Sequence, residues 1–239
     1  MPSFPSVFIP KGLPMQLPIA IVLSGCGHMD GAEITESVSV LIHVARHNRM
    51  YRCFAPDVPQ ADVINHATHK AQPGHTRNVM VESARLSRGD IQPLDKLDPL
   101  QFSALILPGG FGAAKNLCDF ASKGHDCTAL PDAERVIKAF HAAKKPMGFC
   151  CIAPALAARV LGTRNAGPGL KLTIGTDEAT ASALATMGNT HVPRAVTECF
   201  TDELNRVVST PAYMYGNARP HEVFEGIGKL VDSVIAMAK

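Results

Sequence analysis

Residues 145–155 read Lys-Pro-Met-Gly-Phe-Cys-Cys-Ile-Ala-Pro-Ala, and the chain passes there from a short apolar run into a helical pattern with almost no loop. This spacing is typical of a nucleophile elbow, a sharp strand-to-helix turn that lifts one side chain to the top of a sheet. Cys151 stands at the turn and is the candidate nucleophile, whereas Cys150 is still in the strand and is expected to pack in the core. Because a helix N-terminus favours negative charge, we expect a lowered pKa for the Cys151 thiol. The same spacing is also compatible with two buried structural cysteines.

Short apolar runs alternate with helical patterns on both sides of this stretch. Strands are predicted over residues 19–23, 50–55, 104–107, 147–150 and near 206–209. Helices are predicted over residues 32–47, 79–88, 113–122, 132–144, 153–161 and 179–187 and from residue 220 onward, with a long polar connection over 60–78. Continuous apolar strands that alternate with helices are typical of a parallel sheet covered on both faces. We therefore predict a single doubly wound, flavodoxin-like α/β domain, preceded by a flexible arm over residues 1–18, which contain five prolines.

The composition argues against several classes of protein. The 239 residues include 23 Lys and Arg against 21 Asp and Glu, a net charge of +2 that does not suggest an arm for nucleic acid. With 46% hydrophobic residues the chain is too apolar for disorder, yet no apolar run approaches the roughly 18 residues of a transmembrane helix. Because there are 3 Tyr and no Trp, a base-stacking platform is disfavoured. We expect neither nucleic acid nor a membrane as a partner.

The seven cysteines are odd in number, irregularly spaced and without a CxxC pair. This pattern argues against a disulfide framework and against structural zinc, so we expect reduced thiols and no bound metal. The first ten residues contain no Lys or Arg, unlike a secretory signal peptide. These features predict a cytoplasmic protein. Met15, just before the first predicted strand, is an alternative to Met1 as the physiological start.

A glycine-rich turn, Pro-Gly-Gly-Phe-Gly over residues 108–112, follows a predicted buried strand. Glycines let backbone N–H groups approach a ligand closely, and loops at the carboxyl ends of parallel strands converge on one crevice. The N–H groups of Gly110 and Ile152 could therefore stabilise an oxyanion formed when Cys151 adds to a carbonyl group. An ordinary tight turn is the alternative interpretation of this glycine-rich segment.

A third turn, residues 24–31, is expected at the same crevice, so Cys26 is a candidate pocket residue. Dinucleotide binding is rejected for this turn because Asp30 stands where a GxGxxG motif needs its third glycine. Glu33 and Glu36 follow at the start of a predicted helix, and either carboxyl group could exchange a proton with the thiol. The alternative interpretation is that both residues, above all Glu33, are solvated carboxylates that the helix dipole favours and that have no catalytic role.

These motifs together resemble the PfpI-like superfamily, whose fold is that of the class I glutamine amidotransferases, and within it the ElbB branch. That branch comprises enhancing-lycopene-biosynthesis proteins, linked to isoprenoid biosynthesis and described as glyoxalases. The resemblance runs from about residue 19 to 239 and rests on residues 24–34, 53–57, 63–66, 76–79, 108–117, 151–155 and 173–177, which read SGCGHMDGAEI, CFAPD, VINH, TRNV, PGGFGAAKNL, CIAPA and TIGTD. It implies one amidotransferase-like domain over residues 19–239, no cofactor, and a homodimer.

The resemblance also implies roles for individual residues. Cys151 matches the elbow cysteine of the family and Gly110 its oxyanion-loop glycine, while the catalytic glutamate falls on Glu36, with Glu33 as the alternative. Three further candidate pocket residues lie in the matching strings: Gly109, Asn116 and Asp177. Many relatives place a histidine directly after the cysteine or beyond the next strand, but Ile152 follows it here, so a Cys-His-acid triad is not supported. Asp177 or His191 is only a weak candidate to replace the missing histidine.

The resulting functional hypothesis is a cofactor-free glyoxalase of low turnover, with no glutathione requirement. It would convert glyoxal or methylglyoxal to a 2-hydroxy acid through a cysteine hemithioacetal, with Glu36 transferring the proton. One alternative is a thiol sensor or protective protein that responds to oxidation without significant turnover. Another is deglycase or amidotransferase-like hydrolysis in the same pocket.

Overall fold

The computed structural model describes residues 16–238, so residues 1–15 of the predicted N-terminal arm lie outside the described part of the chain. Eleven strands form within it: β1 Ile19–Val22, β2 Tyr51–Ala55, β3 Ile64–Asn65, β4 Lys70–Ala71, β5 Ile91–Pro93, β6 Ala104–Leu107, β7 Met147–Cys150, β8 Lys171–Leu172, β9 Thr190–His191, β10 Phe200–Asp202 and β11 Val207–Thr210. The eight α-helices are α1 Ile34–Arg46, α2 Val79–Ser83, α3 Phe111–Lys115, α4 Phe120–Lys123, α5 Pro131–Ala142, α6 Ala153–Leu161, α7 Glu178–Thr186 and α8 Pro220–Met237.

Seven of these strands form the central sheet, in the order β10-β11-β7-β6-β1-β2-β5. All neighbouring pairs are parallel except β10 and β11, which are antiparallel. The chain winds outward from β1 to β2 and β5, then returns to β6 on the other side of β1. This reversal leaves a crevice beyond the carboxyl ends of β1 and β6, where ligands bind in open α/β sheets. The predicted doubly wound, mostly parallel α/β fold is confirmed.

Both faces of the sheet are covered, as the side chains of β1 show, because they point alternately into two core clusters. Ile19 and Ile21 pack in one core cluster with residues of α1 and α8, whereas Ala20 and Val22 pack in the opposite cluster with residues of α5 and α6. Side chains of a strand point alternately to the two faces, so a strand covered on both faces is apolar throughout. All four residues of β1 are accordingly buried.

Some element boundaries differ from those predicted. The polar connection over 60–78 contains the small hairpin of β3 and β4, and the helix expected over 79–88 is the single turn of α2. The helix expected over 113–122 is divided into α3 and α4, because Cys118 pairs with Ala129 in an isolated antiparallel bridge that interrupts it. Strand β10 has no apolar pattern, since it is a short edge strand that reads Phe-Thr-Asp.

Candidate functional site

The candidate site lies at the carboxyl ends of β1, β6, β7 and β11, next to the N-terminus of α1. Each contributing segment begins where a buried strand ends, so the groups that meet here are far apart in sequence. Gly109 follows β6, Cys151 follows β7 and Tyr213 follows β11, while Glu36 lies in the first turn of α1. The position is the crevice that the strand order predicts.

Cys151 occupies the elbow between β7 and α6. Its φ of 57° lies in the left-handed region, which costs a non-glycine residue on the order of 1–3 kcal/mol and is held by surrounding structure. Its N–H donates to the carbonyl of Thr210 at 2.9 Å, which anchors the turn to the end of β11. Pro154 occupies the first turn of α6, where its missing N–H is harmless. The Cys151 side chain is only 7% exposed.

The Glu36 carboxyl is completely buried and lies directly beside the Cys151 thiol, close enough for each group to act on the pKa of the other. Its Oε2 accepts from the Gly109 N–H at 2.9 Å and its Oε1 from the Tyr213 N–H at 3.2 Å. Burial first and the nearby charge of Glu33 second raise the pKa of Glu36 from 4.5 to about 8, while the two N–H groups and the thiol act in the lowering direction. A carboxyl group with a pKa near neutrality is suited to both accepting and donating a proton.

The Cys151 thiol has a pKa raised well above its usual value, contrary to the lowered value expected from the helix terminus. Burial is the main cause and the charge of Glu36 the second. The N–H groups of Gly110 and Ile152 act on the thiol in the lowering direction, as the elbow predicts, but their effect is smaller than that of burial. The thiol therefore keeps its proton at neutral pH, with the Glu36 carboxyl as its neighbour.

The same N–H groups of Gly110 and Ile152 were the predicted oxyanion donors, and both lie near enough to the Cys151 sulfur to lower its pKa. Gly110 has a φ of 88°, and a Cβ at this position would lie 2.6 Å from the carbonyl oxygen of Gly31. Only glycine can turn the backbone so that this N–H faces the thiol. Two N–H groups thus converge beside the sulfur, where an oxyanion would form.

Glu33 has a different position from Glu36. It is half-buried at the N-cap of α1, where its Oε2 accepts from the Glu36 N–H at 2.6 Å, and burial raises its pKa. Its own N–H donates to the Gly109 carbonyl at 3.0 Å. Of the two carboxyl groups left open by the sequence, Glu36 contacts the thiol, and Glu33 caps the helix at the cavity wall.

A cavity of about 390 Å³ opens above Cys151. It is lined by His28, Glu33, Gly110, Phe111, Ala114, Phe120, Ala121, Cys151, Ile152, Asp177, Thr180, Tyr213 and Met214. His28, Phe120, Tyr213 and Met214 were not predicted as site residues from the sequence. His28 belongs to the turn expected at the crevice and could have been found by that signal. Tyr213 contributes its backbone N–H to Glu36, a group that every residue except proline carries and that leaves no trace in sequence.

The predicted pocket residues divide into three groups. Asp177 and Glu33 line the cavity, as expected. Gly109 lies behind Cys151 as a support, since a Cβ there would lie 2.7 Å from the Glu36 Oε2. Asn116 is buried and does not line the cavity: its Nδ2 donates to the carbonyls of Ser24 and Asp30, so it holds the turn over 24–31 in place.

Cys26 does not line the cavity, contrary to expectation. Burial raises the pKa of its thiol, and the charges with the largest effect on it are those of Glu82 in α2 and Arg85 just after it. The turn over 24–31 directs His28 rather than Cys26 to the crevice. The prediction failed because strand order alone does not determine the path of a glycine-containing turn. His191 also lies away from the cavity lining, beside the backbone of Gly175.

The remaining cysteines have structural surroundings. Cys53 and Cys150 are buried in the core as expected, and burial raises the pKa of Cys53 to about 12. Cys118 and Cys127, which carry no motif, are buried with their thiols in contact. Within residues 16–238 no group of three or more His, Cys, Asp or Glu side chains is arranged to hold a metal ion. No helix in this part of the chain is long and apolar enough to span a membrane.

Comparison with known proteins identifies the family. Glutamine amidotransferase-like class 1 domain-containing protein 3, mitochondrial, of Homo sapiens is 44% identical over 228 residues, which cover 92% of this chain and 82% of that protein. The ES1 protein homolog, mitochondrial, of Rattus norvegicus is 43% identical over 228 residues, covering 92% of this chain and 83% of that protein. The chain belongs to the ES1 family of glutamine amidotransferase-like proteins. No profile of a known protein family matches it.

Solved structures agree with the ES1 assignment. An isoprenoid biosynthesis protein with an amidotransferase-like domain from Ehrlichia chaffeensis is 35% identical and superimposes with a TM-score of 0.86 over 93% of this chain and 100% of that chain. DJ-1beta of Drosophila melanogaster matches with a TM-score of 0.50 over 94% of this chain and 96% of that chain, and at 14% identity it shows the fold alone. The predicted amidotransferase-like assignment is confirmed, and the match to DJ-1beta shows a fold shared with the predicted superfamily.

The predicted cytoplasmic location is wrong. Both curated ES1 relatives are named as mitochondrial proteins. Unpaired cysteines exclude an oxidising compartment but do not distinguish the cytoplasm from other reducing compartments, so the composition could not decide this point.

Proposed function

We propose that this ES1-family protein is a cofactor-independent glyoxalase that converts a 2-oxoaldehyde to a 2-hydroxy acid with Cys151 and Glu36. The observation that carries the proposal is the Cys151 thiol lying against a buried Glu36 carboxyl, with the N–H groups of Gly110 and Ile152 beside the sulfur. These are the groups that addition to an aldehyde and a subsequent proton transfer require. The finer assignment to the ElbB branch belongs to this proposal.

The first step forms a bond between the Cys151 sulfur and the aldehyde carbon. Glu36 takes the thiol proton as the sulfur attacks, so the thiolate exists only during the addition and its raised pKa is no obstacle. The alkoxide is stabilised by the N–H groups of Gly110 and Ile152 and is then protonated by Glu36, which gives a neutral hemithioacetal.

The second step moves a hydrogen from C1 to C2. The Glu36 carboxylate removes the C1 hydrogen as a proton and passes it to the C2 oxygen, which gives an enediol. Glu36 then takes the proton of the C1 hydroxyl and delivers it to C2, which gives a thioester of the 2-hydroxy acid. Water then cleaves the thioester and restores the thiol, so the net reaction adds one water molecule to the dicarbonyl, without any change in the overall redox state of the protein.

The decisive experiment follows lactate formation from methylglyoxal. Cys151→Ala should abolish turnover because no covalent adduct can form, and Glu36→Gln should lower kcat by about 10²–10⁴-fold, the usual contribution of a positioned acid–base group. Cys199→Ser is the matched control: Cys199 is half-buried, 3.8 Å from the Ser233 hydroxyl and outside the cavity. Undiminished turnover in either site variant refutes the mechanism.

The structure favours turnover over oxidation sensing. A sensor needs an accessible thiolate, whereas the Cys151 side chain is 7% exposed and burial raises its pKa. Deglycase or amidotransferase-like hydrolysis has no specific support from the cavity, in which Ile152 follows the nucleophile where many relatives have histidine. A mitochondrial location, taken from the names of the ES1 relatives, and a homodimer complete the proposal.

A further inference from the structure

The cavity above Cys151 is larger than the small dicarbonyls considered so far. From its size and lining we propose that the site prefers 2-oxoaldehydes with a bulky, uncharged apolar substituent, such as phenylglyoxal, over methylglyoxal and over anionic dicarbonyls. The preference in turnover rests on the proposed function. The preference in ligand binding can be tested without turnover.

The volume is the first argument. Methylglyoxal is about the size of three water molecules, on the order of 100 Å³, and would leave most of the 390 Å³ cavity filled with water. Phenylglyoxal needs on the order of 200 Å³, which leaves room for the adduct and for the attacking water in a pocket of ordinary ligand-binding size. A substrate that fills the cavity also displaces the water that would compete for the N–H groups beside Cys151.

The lining is the second argument. Phe111 and Ala114 of α3 and Phe120 and Ala121 of α4 form one side of the cavity, and Ile152 and Met214 also line it. Aromatic and aliphatic side chains gain contact with an aryl or alkyl group and gain nothing from a second polar group. The reactive carbonyl must lie at Cys151, so the substituent extends along this apolar lining.

The charged groups of the cavity are the third argument. Asp177 lines the cavity at the N-cap of α7, where the Thr180 side chain first and the Thr180 N–H second, which donates to its Oδ1 at 2.8 Å, lower its pKa and keep it ionised. Glu33 is a second carboxyl group in the same lining. A phosphate or carboxylate on the substrate would meet these groups and be repelled.

The turnover experiment compares phenylglyoxal with methylglyoxal on the same protein. Phenylglyoxal plus one water molecule gives mandelate by the bond changes described above. We expect its kcat/KM to exceed that of methylglyoxal by at least about 10-fold, the discrimination that a few buried methylene-sized groups supply. Ala121→Phe, which fills the cavity, should reduce this ratio. Ser122→Phe is the matched control, on the same helix but outside the lining, and should leave the ratio unchanged.

The binding experiment needs no turnover. Neutral 1-phenyl-1,2-ethanediol and anionic mandelate share one skeleton, and the dissociation constant of each is measured by isothermal titration calorimetry. The diol should bind with a several-fold lower Kd than mandelate. Asp177→Asn, which keeps the N-cap, should narrow the difference by weakening the repulsion of the anion.

The possible results separate the two proposals. Turnover of methylglyoxal as fast as that of phenylglyoxal overturns the substrate preference and leaves the glyoxalase proposal standing. If neither dicarbonyl turns over, the glyoxalase proposal fails, and tighter binding of the diol than of mandelate then supports the apolar, anion-repelling character of the cavity on its own. Equal affinity for the diol and mandelate, or no binding of either, overturns the inference.

Discussion

Replacing Glu36 with glutamine should flatten the pH dependence of the free energy of unfolding. The pKa of this carboxyl is about 8 in the folded protein against 4.5 when it is exposed. Below about pH 4.5 the group is neutral in both states. Between these values the unfolded chain loses the proton that the folded protein retains, so stability falls as the pH rises, and above about pH 8 the loss is complete.

The size of this loss in the free energy of unfolding follows from the raised pKa of Glu36. Each pH unit inside this window costs about 1.4 kcal/mol, so the wild type should lose roughly 3 kcal/mol through Glu36 between about pH 5 and pH 7.5. For a chain of this length that loss corresponds to a decrease in Tm of about 6–12 °C. Glutamine cannot ionise and should remove this contribution. It also leaves one of the N–H groups of Gly109 and Tyr213 without an acceptor, which lowers stability by about 1–3 kcal/mol at every pH.

The slope of the free energy of unfolding against pH is therefore the readout, because the absolute free energy also changes for the second reason. Urea unfolding followed by circular dichroism at several pH values gives both quantities, provided that the m-value does not change. Glu225→Gln, an exposed carboxyl on α8 that pairs with Lys229, serves as the control and should keep the slope of the wild type. If wild type and Glu36→Gln lose stability in parallel, the raised pKa and the burial argument behind it are wrong.

Two further predictions concern the same site. Because the carboxylate form of Glu36 is the base, kcat/KM for dicarbonyl turnover should rise about 50-fold from pH 6 to pH 8 as the group ionises around its pKa of about 8, and a flat pH–rate profile would contradict the assigned role. Asn116→Ala should lower the free energy of unfolding by about 2–4 kcal/mol, since the carbonyls of Ser24 and Asp30 and the N–H of Ala61 lose their partner; a smaller change in urea unfolding would mean that the turn over 24–31 does not depend on Asn116.

Much of the fold could be predicted because its signals are local. The predicted bounds of β6, β7 and α6 agree with the structure to the residue, since each is a continuous apolar run or a helix that begins at a proline-containing turn. The strands missed by the analysis, such as β5 and β10, are short and lie at the edges of the sheet. An edge strand is selected by the neighbour that it pairs with and needs no apolar pattern of its own.

Within the site, the choice between Glu33 and Glu36 shows where local reasoning stops. Residues three apart on a helix lie close to the same side, so both carboxyl groups could face the crevice. Packing of α1 against the loop after β6 decides between them: the Gly109 N–H donates to Glu36, while the Gly109 carbonyl accepts from the backbone of Glu33. Cys26 is the opposite case, a residue on the expected turn that does not line the cavity.

The sequence by itself determined the doubly wound sheet, the elbow at Cys151 and the glycine turn that follows β6, because each depends on residue patterns a few positions long. Only the tertiary structure decided the protonation of Cys151 and Glu36. Burial beneath four strand ends raises the pKa of both Cys151 and Glu36 and outweighs the helix terminus that favours a thiolate. Desolvation depends on everything packed around a group, most of it distant in sequence, and for that reason no local pattern could reveal it.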